Sequence, residues 1–396
     1  MFAPDPATFP TVRDNLFDPP RLLIGWAQET PIRPLLFADG HEGWLVTGFA
    51  AVREVLADPH FSAAPEATHP VLPGSLTSRN RETRPGFFVR MDPPDHTRMR
   101  RLLTGQFTMR RMKLLQPRIE EITTACLDAM EAQGPPSDLV RDFALPVPSL
   151  VICELLGVPY GDREHFQHKS RVLLDLRSSA HEAEAAVADL LGYLYGLIAA
   201  KRADPADDLI SSLVTGGELT DEELAGVSLL LLIAGHETTA NMIALGAFAL
   251  LRHPGQLAKV REDPSYTESA VEELLRYLSI VHLGPTRTAT QDVRLAGRTI
   301  RAGQSVVLSL SAGNRDPERF TDPEVLDVTR EPAGHLSFGH GIHQCLGQQL
   351  ARIEMGVAYP ALLRRFPGLR LAVPDEEIPM RAQMTVYGVD RLPVTW

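Results

Sequence analysis

The chain has 396 residues, 44% of them hydrophobic and 22% charged, with a net charge of 39 − 50 = −11. That mixture excludes disordered and fibrous classes, and an acidic protein is a poor general binder of nucleic-acid phosphates. Three cysteines, Cys126, Cys153 and Cys345, form no CxxC pair; this excludes a disulfide framework, an iron–sulfur cluster and a four-cysteine zinc site, and fits a reducing cytoplasm.

The first residues, Met1-Phe2-Ala3-Pro4-Asp5, lack the basic and apolar regions of a signal peptide. Leu35-Leu36-Phe37, Asp39-Gly40 and Trp44-Leu45-Val46 then predict a hairpin. A short helix over Ala50–Ala57 follows and stops before Pro59. Residues 59–90, rich in Pro, Ser, Arg and Thr, read as a long loop, and such loops in compact domains usually serve function. From Asp95 to about Pro254 the pattern is helix after helix, with Cys126 and Cys153 as core positions. The clearest helix starts at the capping box Thr220-Asp221-Glu222-Glu223 and runs to Arg252. At roughly 50 Å it is long enough to cross the whole core. The longest apolar runs, Leu190–Ala200 and Leu229–Gly235, fall short of the roughly 18 residues of a membrane span, so a soluble cytoplasmic protein is expected.

A second hairpin is predicted over Val293–Ile300, continued by Val306-Val307-Leu308. An irregular Pro-rich stretch, 313–337, leads to a last helix from Gly347, which Pro360 should end or kink. With no repeat and no linker, the expectation is one domain over 1–396, mainly α, with smaller β regions near 35–49 and 281–310.

Chemistry concentrates at Cys345. In Phe338-Gly339-His340-Gly341-Ile342-His343-Gln344-Cys345-Leu346-Gly347, three glycines allow tight turns and close approach to a flat ligand. The cysteine precedes a helix N-terminus, whose dipole and free amides favour a thiolate, a good axial ligand for haem iron. Alone, a single cysteine is more often a buried structural residue. The second site, Ala234-Gly235-His236-Glu237-Thr238-Thr239, interrupts the apolar central helix with groups that cost helix propensity or desolvation energy. Threonine hydroxyls there can bond the preceding turn and open the helix locally. The alternatives are a bent helix with capped polar groups or an acid–alcohol pair that relays protons. Glu273 and Arg276 at i,i+3 read, by themselves, as an ordinary surface pair, and His96 and Arg100 at i,i+4 as a basic helix face.

The cysteine segment resembles the haem-binding signature of the cytochrome P-450 superfamily, Phe-Gly-x-Gly-x-His-x-Cys-x-Gly, matched at every fixed position. The resemblance runs from about residue 35 to the C-terminus. It is strongest to the soluble actinobacterial type that oxidises secondary metabolites and xenobiotics. It implies the P-450 fold, with haem b between the long central helix and the helix after the cysteine loop. It implies Cys345 as the iron ligand, with Phe338, Gly339, Gly347 and Ala234 against the haem, and His96, Arg100, Arg287 and His343 on its propionates. Thr238 and Glu237 become the oxygen-activating pair, the acid delivering protons. Glu273 and Arg276 become a structural pair completed by Arg330, with Arg319 as the other candidate. The implied reaction puts one atom of O2 into substrate and the other into water.

No GxGxxG fingerprint or flavin domain is present, so a separate electron donor is expected, and the resemblance implies a ferredoxin with an NAD(P)H-dependent ferredoxin reductase. Residues 98–118 carry seven basic side chains and no acid, and Arg110, Arg111 and Lys113 suit an acidic ferredoxin as well as they suit a plain solvated face. The expected pocket walls are Phe87, Phe88 and Val89, then Leu232 and Ile233 beside Ala234, then Val281, His282 and Leu283, and last Met384 and Thr385 with Val386. A bulky lipophilic substrate follows. By analogy a macrolide or polyketide is favoured, with terpenoids, statin-like acids and xenobiotics as alternatives. A peroxide-driven peroxygenase and a non-catalytic haem sensor are the rival classes. No membrane or nucleic-acid partner is expected, and the chain should act as a monomer.

Overall fold

The Asp39-Gly40 turn closes a hairpin between β1 (Ile32–Leu36) and β2 (Glu42–Val46), with Gly40 at the left-handed φ of 85° that such a turn needs. The computed structural model describes residues 7–64, 66–73, 83–331 and 334–396; the expected loop wall is therefore seen only in part, and residues 1–5 lie outside. The remaining strands of the main sheet are β3 (Phe61–Ser62), β4 (Thr286–Ala289) and β5 (Ser305–Leu308), in the order β1-β2-β5-β4-β3. Val306–Leu308 pairs parallel to Trp44–Val46 and antiparallel to β4. It does not continue the Val293–Ile300 hairpin, which stands apart as a two-stranded unit. The separation follows from burial: Val306, Val307 and Leu308 are wholly buried and need partners on both edges.

Helices dominate the rest. In chain order they are α1 (Arg21–Glu29), α2 (Phe49–Ala57), α3 (Asp95–Thr104), α4 (Met109–Gln133), α5 (Pro146–Leu156), α6 (Arg163–Leu174), α7 (Ala180–Ala203), α8 (Leu209–Gly216), α9 (Asp221–Arg252), α10 (Pro254–Glu262), α11 (Thr267–Leu278), α12 (Leu310–Gly313) and α13 (Gln348–Arg365). Both halves of the Thr220/Glu223 capping box form at the start of α9. This helix packs on α5, α7, α11 and α13 and buries most of its length. By length and hydropathy α7 and α9 could each cross a membrane, yet 78% of the apolar window of α9 is buried within the protein. The crossing with α13 is close: a Cβ on Gly246 would lie 2.1 Å from the Tyr359 hydroxyl, which donates to the Met242 carbonyl at 2.6 Å.

Two expectations about helices need correction. α13 runs through Pro360 to Arg365. Proline removes one amide, but Gly356, whose carbonyl is freed, and Pro360 both line an open groove of about 400 Å³ between α4 and α13. α9 is likewise continuous through 234–239.

The Glu273–Arg276 pair is buried, not on the surface. Arg276 makes a bidentate contact to Glu273 at 2.7 and 2.8 Å, and donates to the carbonyls of Asn314, Pro323 and Val325. Glu273 also accepts the Asp327 amide and lies 3.2 Å from Arg330 Nε. Arg319 instead sits over the rings of Phe49 and Phe320. One helix thus fixes the whole irregular stretch that leads to the cysteine loop. Glu273→Gln should cost about 3–5 kcal/mol, because it strands a buried guanidinium; a fall in the denaturant midpoint, or loss of soluble protein, is the expected reading.

Candidate active site

The cysteine loop is shaped by its glycines. Gly339 and Gly341 adopt φ of 69° and 71°, and a Cβ on Gly341 would meet the Leu56 carbonyl at 2.2 Å. The Cys345 amide donates to the Phe338 carbonyl at 2.8 Å and closes the turn. Cys345 is an exposed residue, yet the protein packed around its sulfur desolvates it. Burial therefore pushes the thiol up. The amides of Gly347 and Gln348 donate to the sulfur, and the charges of Arg100 and Arg352 also pull it down.

Around this loop four nitrogen-bearing side chains meet, with Asp92 as the acid that acts on His96 and Arg287. His96 and Arg100 come from α3, Arg287 from β4, and His343 from the loop itself. The His96 and His343 rings are 4.2 Å apart. Both ring nitrogens of His96 and Nδ1 of His343 lack a partner among the described residues. Arg287 donates only to its neighbour's carbonyl, and Arg100 reaches the Gln344 carbonyl. Burial, then the charges of Arg287, His96 and Arg100, pushes His343 down to about 3. Burial brings Arg287 down to about 10, partly offset by Asp92. Such a cluster is costly alone and fits a ligand carrying two carboxylates beside a metal held by sulfur.

On α9 the open position is Ala234, flanked by half-buried Ile233, Gly235 and Thr238, although most of the helix is buried. Gly235 lies under Ile152, where a Cβ would clash at 2.7 Å. Three side chains bond the preceding turn: His236 Nδ1 to the Leu232 carbonyl, Thr238 Oγ1 to Ala234 and Asn241 Nδ2 to Glu237. The helix keeps its hydrogen bonds while three carbonyls acquire second donors. Glu237 and Thr238 diverge. The Glu237 carboxylate pairs with Arg381 at 3.0 Å, both buried, at the edge of a cavity of about 250 Å³. That cavity is also lined by Glu164, His168, Arg171 and Asp390. Arg381 is 144 residues from Glu237 and was invisible in the sequence.

The expected pocket walls separate by face. Phe87, Val89, Ile233, Val281 and Thr385 carry open surface; Phe88, Leu232, His282, Leu283 and Met384 are buried. A step of one residue turns a side chain by about 100° on a helix and to the other face on a strand, which is why neighbours part company. The 281–283 and 384–386 segments do meet, through the Val281–Val386 bridge and the His282 amide on the Thr385 carbonyl. His282 turns away and stacks on Tyr387, over which Arg13 sits at 3.7 Å.

A cysteine sulfur under two amides, a cationic cluster suited to two carboxylates, and an acid–alcohol step on a long helix define a haem-thiolate oxygenase. The family model "Cytochrome P450" matches residues 36–387, and the chain belongs to that family. It is 55% identical over 392 residues to Cytochrome P450 105C1 of a Streptomyces species, covering 99% of each chain. The structure of CYP105P1 in complex with filipin I matches with a TM-score of 0.94 at 45% identity, over 99% of each chain. The mycinamicin VIII C21 methyl hydroxylase MycCI of Micromonospora griseorubida, bound to mycinamicin VIII, matches with a TM-score of 0.92 at 38% identity, over 98% of this chain and 100% of that one. This is therefore a bacterial cytochrome P450 of the actinobacterial type, a monooxygenase whose family uses haem with an axial cysteine thiolate.

His282 supplies a test of the packing beneath the pocket. Burial and the Arg13 charge push its pKa down to about 4. In the unfolded chain the ring titrates near its ordinary value of about 6.5. Below that value the unfolded state gains the proton first, so stability is retained above about pH 6.5 and lost as pH falls toward 4. The expected loss is on the order of 3 kcal/mol. Denaturant midpoints across pH 7 to 4 should show it, and His282→Leu should make that limb shallower, the remainder belonging to other histidines that burial depresses, His96, His236 and His343 among them.

Proposed function

We propose that this chain hydroxylates or epoxidises a bulky lipophilic natural product, a macrolide or polyketide first, in the cytoplasm. Electrons come from a separate ferredoxin and its NAD(P)H-dependent reductase. The observation that carries the reading is the Cys345 sulfur, desolvated but held by the Gly347 and Gln348 amides, beside His96 and His343 ring nitrogens that lack a partner among the described residues.

Haem, bound through Cys345, supplies the oxygen chemistry. The chain's residues supply the rest. His96, Arg100, Arg287 and His343 would hold the two carboxylates of the haem. Phe338, Gly339 and Gly347 would pack against it with Cys345, and Ala234, which lacks a large side chain, would leave room for a small reactant. Thr238, whose hydroxyl bonds Ala234, presents a polar oxygen lone pair toward that space. Glu237, tied to Arg381 at the 250 Å³ cavity, passes protons inward from it. An apolar wall of Phe87, Val89, Ile233 and Val281, with Thr385 as a polar contact, orients the substrate and excludes water. The relatives holding filipin I and mycinamicin VIII support a large substrate.

For the electron donor, several of the basic residues in 98–118 already have partners: Arg98 with Glu223, Arg101 with Glu218, Arg118 with Glu121 and Glu154. Arg110, Arg111 and Lys113 are exposed on the first turns of α4, beside Met109 and Leu114, which are 45% and 73% exposed. Cations around exposed apolar side chains suit an acidic docking partner.

The reduced protein under carbon monoxide should show the strongly red-shifted Soret band of thiolate-bound haem, and Cys345→Ser should abolish it; a histidine-type band in the fresh, folded wild type would overturn the assignment. Neutralising Arg110, Arg111 and Lys113 together should slow ferredoxin-supported turnover by about tenfold at low salt and leave peroxide-driven turnover unchanged. Equal falls in both would remove the docking role.

A further inference from the structure

α11 carries two adjacent carboxylates that serve different parts of the molecule. Glu273 faces Arg276 and the irregular stretch. Glu272 faces Arg352 of α13, taking Nε at 2.6 Å and Nη2 at 3.0 Å, with His335 Nε2 at 3.3 Å. Burial pushes the Glu272 carboxyl up, but the hydrogen bonds and charges of His335 and Arg352 win and hold it at about 2. The pair is therefore fully ionised at neutral pH, and its bidentate geometry fixes the guanidinium plane.

The Arg352 side chain runs back toward the N-terminus of α13, as helical side chains do. Its Nη1 donates to Gln348 Oε1 at 3.0 Å, and the guanidinium lies 4.5 Å above the Phe338 ring. Gln348 supplies one of the two amides on the Cys345 sulfur, and the Phe338 carbonyl accepts the Cys345 amide. Arg352 thus touches a residue on either side of the cysteine.

We propose that Glu272 and Arg352 are positioning residues for the Cys345 thiolate, together setting how readily the haem on that sulfur accepts an electron. This rests on Cys345 being the iron ligand. One electron from the ferredoxin-class donor converts ferric to ferrous haem; no bond forms or breaks, and the site becomes more negative by one charge. A fixed cation behind the sulfur favours that gain, and the carboxylate paired with it offsets part of the effect. Removing the two halves must therefore move the midpoint potential in opposite directions.

The experiment is spectroelectrochemical titration of the haem-loaded enzyme. Glu272→Gln, which leaves Arg352 uncompensated, should raise the midpoint potential. Arg352→Met, which keeps the stem and removes the charge, should lower it. Arg352→Lys should sit closer to wild type than Arg352→Met. The carbon monoxide spectrum, taken alongside, shows whether the thiolate is still bound. Shifts of the same sign, or none, with the thiolate band intact would overturn the proposal and leave a purely structural clamp. If Arg352→Met fails to take up haem, Glu272→Gln against Arg352→Lys still decides: an unchanged potential in Glu272→Gln rejects the idea. A wild-type spectrum without the thiolate band would instead remove the haem-ligand reading on which the proposal rests.

Discussion

Desolvation drives the Cys345 thiol toward its neutral form, and the architecture is arranged against that drift. Two amides at the head of α13 donate to the sulfur, and two guanidinium groups, from α3 and from α13 itself, add positive potential. Each depends on a longer chain of contacts. The amides are aimed by a loop that turns at Gly339 and Gly341, both at positive φ, and Gly341 leaves no room for a Cβ against the Leu56 carbonyl. The loop is anchored through Ser337 and Asn314, whose side chains bond Leu275, Ser279 and Leu336. α11 is in turn locked to the 314–330 stretch by Glu273 and Arg276. A reactive sulfur held by backbone is only as well placed as the helices that hold the backbone.

The cofactor side shows the complementary economy. Burial first, and then the charges of Arg100 and Arg287, hold His96 and His343 toward their neutral forms, so an anion arriving there would find donors with little competition. On the proposed reading, a dicarboxylate would be held there beside the sulfur that ligates iron, and binding at one end would reinforce ligation at the other.

Much of this was legible in the chain itself. The Gly-rich cysteine segment and the capping box at Thr220 are local signals, and local signals survive in one dimension, whereas the Glu273/Arg276 spacing alone points to the surface and only the family resemblance points to a structural pair. What escaped depends on residues far apart. Arg381 reaches Glu237 across 144 positions, Arg352 reaches Glu272 across 80, and β5 pairs with β2 although the two strands lie far apart in the chain. The periodicity that marks a helix does not say which face meets a pocket, so Leu232 and Phe88 were expected at the wall and lie in the core. Pro360 does not end its helix, and it lies with Gly356 along an open groove. His236 and Asn241 could have been suspected, since both sit within a turn of Thr238 and can bond a carbonyl four residues back.

The apolar surface of α9 has a consequence for synthesis of the chain. It is covered in part by α11 and α13, and α13 begins about 100 residues after α9 ends. At about 5–20 residues per second, that delay is roughly 5–20 s. During it a helix of membrane-like hydropathy emerges from the ribosome without its cover, and a chaperone or a neighbouring nascent chain competes for it. The yield of active enzyme in a foreign host is therefore governed by how fast translation delivers residues 253–365, so slow codons in that stretch lower it more than slow codons elsewhere.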